Sequence, residues 1–191
     1  MNILMNQTHY FFALKLPSET KLVIKEHMDK LKEVMPFSRW VHPQDLHITL
    51  AFLGRATLEQ LESAVRNVEE AIQGANSVKL QINHLGTFGS ITSPRIFWAG
   101  TEQSAGMQLV RERVFKACLD AGFKLETRPF KPHITIARKW AGDEPFKQNL
   151  LNMWQALQPT PLELTVREVV LYQTHLQKTP KYEEKTIFPF T

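Results

Sequence analysis

The sequence predicts an α+β protein of largely antiparallel sheets with outer helices, arranged as two similar lobes facing one another. Three observations carry this. Short strand-like runs alternate with helical stripes at irregular spacing, which favours antiparallel pairing over a regular parallel wind. The order strand, helix, then an H-I-T strand occurs in each half of the chain, a weak internal duplication. Finally, 191 residues at 43% hydrophobic and 22% charged suit one domain over 1–191, built of two lobes sharing a core, with no disulfide or metal needed to hold it.

The elements follow in order. His9 to Leu16 is aromatic-rich and reads as a strand stopped by Pro17. Ser18 is the expected N-cap of a helix whose inner face carries Ile24, Met28, Leu31 and Met35, with Pro36 ending the pattern. Leu46 to Leu53 reads as a buried strand closed by Gly54. Thr57 and Gln60 form a capping box ahead of a stripe of Leu61, Val65, Val68 and Ile72. Val78 to Leu85 alternates as a strand and pairs with a short run from Arg95 to Ala99. A third helix, Gln103 to Ala121, turns Met107, Val110, Val114 and Cys118 inward and ends at Gly122. Pro132 to Arg138 is β-rich, a weaker helix covers Pro145 to Leu157, and two strands close the chain, Leu162 to Tyr172 and Lys185 to Phe190.

Composition narrows the function classes only a little. The net charge of +4 mildly favours anionic partners such as nucleic acid. The single cysteine, Cys118, excludes an internal disulfide and any Cys/Cys zinc pattern. It falls on an apolar helix stripe, as a core residue does. Nothing before Pro17 has the form of a secretory signal, and no apolar run approaches a membrane span. A soluble, cytoplasmic monomer is the default expectation.

The chemistry lies in two tetrapeptides, His47-Ile48-Thr49-Leu50 and His133-Ile134-Thr135-Ile136. Residues two apart on a strand share a face, so His47 projects with Thr49 and His133 with Thr135, while the aliphatic residues between them enter a core. Two such strands across a cleft would bring two imidazoles and two hydroxyls to one volume. One neutral His can take a proton from water, and one protonated His can give a proton to a leaving alkoxide. The hydroxyls can bond the non-bridging phosphate oxygens as charge builds there. The arrangement needs no metal and no cofactor.

These motifs, and above all the run Arg128-Pro129-Phe130-Lys131-Pro132-His133-Ile134-Thr135-Ile136-Ala137-Arg138, resemble the 2H phosphoesterase superfamily. Within it the likeness is to the RNA 2′,3′-cyclic phosphodiesterases, also called 2′-5′ RNA ligases. His47 to Gly54, Phe11 to Leu14, and Leu171 to Thr174 followed by Tyr182 extend it over nearly the whole chain. The resemblance implies a bilobal fold with a pseudo-twofold axis, the site lying in the cleft between lobes. It implies metal-independent hydrolysis of a terminal 2′,3′-cyclic phosphate to a 2′-phosphomonoester, with a reversible 2′-5′ joining activity alongside. His47 and His133 would be catalytic, and Thr49 and Thr135 would hold substrate.

Arg138 matches an Arg that often ends the second motif of this family. Strand parity aims it away from His133 unless a bulge intervenes. The family's opening strand commonly carries an Arg where this chain has His9 or Tyr10. Phe11, Trp40, Phe52 and Phe130 are candidates for stacking on a base, with core packing the more common use of such residues. Arg39, Arg128, Lys131 and Lys139 lie near the motifs in sequence and could follow a phosphate backbone or simply be a solvated face. His42 lies five residues from His47, the wrong parity for a shared metal. His9, His27, His84 and His175 have no comparable company. Two alternatives stay open: a 2H enzyme acting on another small cyclic phosphate or a 2′-5′ oligonucleotide, and a module that binds RNA ends without turnover.

Overall fold

A computed structural model describes residues 8–191. Among these residues nine strands form two antiparallel sheets, and four α-helices pack around them. In chain order the strands are β1 (Tyr10–Lys15), β2 (Phe37–Trp40), β3 (His47–Gly54), β4 (Val78–Gly89), β5 (Pro94–Thr101), β6 (His133–Trp140), β7 (Leu162–Val166), β8 (Glu168–Thr174) and β9 (Tyr182–Pro189). The helices are α1 (Ser18–Lys32), α2 (Leu58–Ala71), α3 (Ala105–Asp120) and the one-turn α4 (Met153–Leu157). One sheet has the order β3-β1-β8-β9 and the other β2-β6-β5-β4-β7.

The duplicated order is real in three dimensions. In one sheet β1, α1 and β3 form an antiparallel pair joined through a helix, and in the other β5, α3 and β6 do the same. Each motif strand therefore lies beside the strand that precedes its helix. The apolar residues of the motifs, Ile48, Leu50, Ile134 and Ile136, are buried in one continuous core with Met28, Leu31, Val68, Val110 and Val114 from the helices. A small second cluster of Phe11, Ala13, Val170 and Tyr172 lies apart from that core.

The sequence reading needs four corrections. Ser18 is the first residue of α1 rather than its cap; Pro17 holds the cap position and no side chain caps the helix. The chain stays helical through Ser18 because Pro17 already fixes the extended entry. A strand, β2, lies between Pro36 and Pro43 as the edge of the five-stranded sheet, paired with β6. The run from Leu162 to Tyr172 breaks at Arg167: β7 ends one sheet, and β8 crosses into the middle of the other. The weak helix near Pro145 is a 3₁₀ turn, Gln148–Asn152, running into α4. The capping box of Thr57 and Gln60 is present as expected.

Candidate active site

The motif strands meet. β3 at the edge of one sheet packs against β6 of the other. His47 and His133 each stand at the first position of their strand, where the backbone two residues earlier is still turning. Each ring exploits that turn in the same way. Nδ1 of His47 donates to the Asp45 carbonyl at 2.7 Å, and Nδ1 of His133 donates to the Lys131 carbonyl at 2.7 Å. A hydrogen bond of this kind sets the tautomer and ring angle, and leaves Nε2 as the nitrogen that exchanges protons. The Thr49 hydroxyl donates to Nε2 of His47 at 3.0 Å.

Both rings lie against aromatic side chains. Phe11, at 4.8 Å between centroids, and Tyr182, edge-on at 5.2 Å, enclose His47, with Tyr172 stacked on Phe11. Phe88, edge-on at 4.9 Å, and Trp98 at 5.9 Å enclose His133. The Lys131 ammonium lies over both the Phe88 and Trp98 rings. Burial in these settings disfavours the imidazolium. It pushes His47 down to about 4, aided by the positive charges of His133, Lys21 and Arg138 and opposed by the bond to the Asp45 carbonyl. His133 is lowered by burial too, with Arg138 and Lys131 adding to the effect.

Arg138 reaches this site through a bulge. Along β5 and β6, Trp98 faces Thr135 but Phe97 faces Ala137, so Ile136 is left without a partner. The extra residue reverses the parity, and Arg138 returns to the face of His133 and Thr135. β3 carries the same irregularity: Ala13 faces Thr49, Phe12 faces Ala51, and Leu50 is skipped. The equivalent of Arg138 is then Phe52, which is 53% exposed and touched edge-on by His9. Of the four aromatic residues considered for stacking, Phe52 alone is a large exposed surface; Phe11 is 3% exposed, and Trp40 and Phe130 pack on the core.

His84 has company that its place in the sequence hides. Cross-strand partners share a face, and the row His133, Gly100, His84 runs across β6, β5 and β4. A Cβ on Gly100 would fall 2.4 Å from the His84 ring, so glycine there is what lets His84 lie down beside the site. The next row, Thr135, Trp98, Gly86, repeats the device: a Cβ on Gly86 would meet the Trp98 ring at 2.2 Å. Phe88, Trp98 and His84 thus make an aromatic floor whose only sequence signal was spacing by two along β4 and β5.

The remaining candidates fall elsewhere. His42 accepts from the Gln44 amide as the cap of the 3₁₀ turn at Pro43–Asp45. His27 bonds Gln158 and packs edge-on to Trp154, while His175 pairs with Glu183. Arg128 pairs with Glu126 at 3.1 Å on the surface, and Lys139 is exposed. Cys118 is buried, and its thiol is pushed up to about 12. Among the described residues no three His, Cys, Asp or Glu side chains are grouped to hold a metal ion. A cavity of about 1180 Å³ lined by Lys15, Ser18, Lys79, Gln81 and Arg167 contains none of the motif residues. No helix among the described residues is long and apolar enough to cross a membrane.

Paired H-x-T-x strands on a frame of two antiparallel sheets define the 2H phosphoesterase class. The family model described as the 2′-5′ RNA ligase superfamily matches residues 22–178, and the chain belongs to that superfamily. It is 42% identical to an RNA 2′,3′-cyclic phosphodiesterase of Geobacillus stearothermophilus over 97% of this chain, and it spans 58% of that relative's length. It is 31% identical to the RNA 2′,3′-cyclic phosphodiesterase of Bacillus subtilis (strain 168), covering 95% of each chain. Among solved structures, E. coli LigT complexed with 3′-AMP superposes with a TM-score of 0.75 at 24% identity, covering 96% of this chain and 98% of that one.

Proposed function

We propose that the chain is an RNA 2′,3′-cyclic phosphodiesterase that opens a terminal cyclic phosphate to a 2′-phosphomonoester by metal-independent catalysis between His47 and His133. The observation that carries this is the matched pair of rings, each with Nδ1 tied to the carbonyl two residues back and Nε2 left for proton transfer. The names of the two relatives support the substrate.

In the proposed reaction Nε2 of one neutral histidine takes a proton from water as its oxygen bonds to phosphorus. The P–O3′ bond breaks, and Nε2–H of the other histidine protonates the departing O3′. The two rings exchange protonation states, and a proton returned through solvent resets them. Thr49, turning its hydroxyl from Nε2 of His47 to the substrate, and Thr135 donate to the non-bridging oxygens, and the Arg138 guanidinium offsets the growing negative charge. With a 5′-hydroxyl in place of water as the nucleophile, the same groups would form P–O5′ as P–O3′ breaks and so join a 2′-5′ linkage. The reverse of that step would cleave one back to the cyclic phosphate and a 5′-hydroxyl. Both sheets contribute to the site and share a core, which supports one domain of two lobes.

The test is hydrolysis of a short RNA ending in a 2′,3′-cyclic phosphate, in excess EDTA, by wild type, His47→Ala and His133→Ala. Each variant should lose about 10²- to 10⁴-fold in kcat with an unchanged melting temperature within a few degrees. Retained turnover in either variant, or abolition by EDTA in wild type, would refute the mechanism.

A further inference from the structure

Arg39 is the cross-strand partner of Arg138 in the β2–β6 ladder, so the two guanidiniums leave the sheet side by side on one face. Like charges set directly opposite destabilise a sheet. Neither has a carboxylate within ion-pair distance among the described residues. A third cation, Lys181, faces the same spot: the positive charges of both Arg138 and Arg39 bear on it, offset in part by the Asp45 carboxylate, and it too has no ion pair. Its backbone is fixed, since its amide donates to the buried Asp45 carboxylate at 3.1 Å while the next amide, of Tyr182, donates to the other oxygen at 3.1 Å. The Lys181 backbone is therefore held by the same residue whose carbonyl orients His47.

Three cations without an ion pair, one on an edge strand and one on a pinned loop, repel one another and make an anion site when it is occupied. Arg138 bears on both histidines and is the cation that the proposed mechanism assigns to the reacting phosphate. Arg39 stands one strand further out, about 5 Å away, on the side of β6 away from β5. We propose that Arg39 and Lys181, flanking Arg138, form a second phosphate subsite that takes the internucleotide phosphate next to the reacting end of an RNA. The inference rests on the phosphodiesterase reading and deepens it: the preferred substrate is an oligonucleotide end rather than a cyclic mononucleotide. Charge-assisted bonds to a phosphate oxygen give such a subsite its strength, and the salt dependence of that contact follows from the same charges.

The test compares three probes: adenosine 2′,3′-cyclic phosphate, the diadenosine dinucleotide ending in a 2′,3′-cyclic phosphate, and that dinucleotide with an uncharged methylphosphonate linkage. Wild type should favour the charged dinucleotide in kcat/KM by about tenfold, the size of one charge-assisted hydrogen bond. The methylphosphonate should fall to the level of the mononucleotide. R39Q and K181Q should each remove most of the preference and leave mononucleotide turnover unchanged. Equal rates on the charged and methylphosphonate dinucleotides, or variants that lose both substrates equally, would overturn the subsite. If wild type turns over none of the probes, the phosphodiesterase reading fails by itself. The subsite is then judged on binding of 2′-phosphorylated adenosine against the 2′-phosphorylated dinucleotide. Tighter binding of the dinucleotide, lost in R39Q, supports it, and equal binding overturns it.

Discussion

His47 is held neutral by its surroundings, yet the proposed mechanism needs one ring of the His47–His133 pair to carry a proton. In the free protein burial lowers both rings, His47 to about 4. The kcat/KM profile reports the free enzyme, so its bell should lie on the acid side of the ordinary histidine value of 6.5, as one titration of the coupled pair. A bound phosphate brings negative charge against both rings and raises them, so the kcat profile should lie at higher pH than kcat/KM. Superimposable profiles would contradict this. The same shift has a stability consequence. Unfolded His47 binds its proton near 6.5 and folded His47 only near 4, so between those values the unfolded chain holds more protons. Stability is then intact above about 6.5 and declines as pH falls toward 4. Urea midpoints measured across that range should fall less steeply in His47→Gln than in wild type; parallel slopes would remove His47 as a cause. A third residue-scale expectation concerns Gly86, under the Trp98 ring. Gly86→Ala should cost about 1–3 kcal/mol by overpacking, and Trp98→Leu in the same chain should recover part of it, a non-additivity that a thermal melt resolves. Spacing by two placed His47 with Thr49 and His133 with Thr135. It misdirected Arg138, because the unpaired Ile136 that reverses parity is a property of the ladder with β5 and leaves no mark in β6 itself.

At the scale of elements, the 3₁₀ turn at Pro43–Asp45 and the end of the β8–β9 connection act as one support for His47. Asp45 is 5% exposed, and its carboxylate caps the amides of Lys181 and Tyr182, while its carbonyl takes Nδ1 of His47. Asp45→Ala would leave two amides without partners, a cost of about 1–3 kcal/mol, and free the loop that carries Tyr182 against His47. Thr57→Ala, which removes the capping box of α2, should cost a similar 0.5–2 kcal/mol. The pair separates support from mere stability: Asp45→Ala should lower kcat well below wild type at a temperature where both are folded, and Thr57→Ala should not. Equal kcat in the two variants would make Asp45 a structural residue only. The helices α1, α2 and α3 and the motif strands were legible because their apolar stripes are local; the cap of α1 was not, since Pro17 holds that position without a side-chain bond. β2 was not, since four residues between two prolines carry too short a pattern, and its reason to be a strand is the edge of β6. Nor was the break at Arg167: Leu162 to Tyr172 reads as one β-rich run, and only the two sheets that claim its halves divide it.

The interleaving of those sheets decides what the whole molecule can tolerate. The strand–helix–strand repeat runs along the sequence, but the sheets do not divide along it: β2 joins the sheet of β6, while β8 and β9 complete the sheet of β1 and β3. Each lobe therefore needs both halves of the chain. Cutting in the connection between α2 and β4 would give a first fragment holding His47, in which β1 has lost β8 and β2 has lost β6. That fragment exposes the apolar faces of Phe12, Leu14 and Ile48 with too few strands to cover them. It should show no cooperative thermal transition alone. The second fragment keeps β4 to β7 in one sheet but leaves β8 and β9 as a hairpin without a partner, and it carries His133 without His47. Neither fragment should cleave a cyclic phosphate. Mixing them should restore both the transition and turnover, because every missing ladder is supplied by the other piece and the two histidines meet only across the restored contact of β3 with β6. A first fragment that melts cooperatively on its own would mean that the lobes are separate folding units, and that the duplicated order reflects two autonomous halves rather than one interlocked pair.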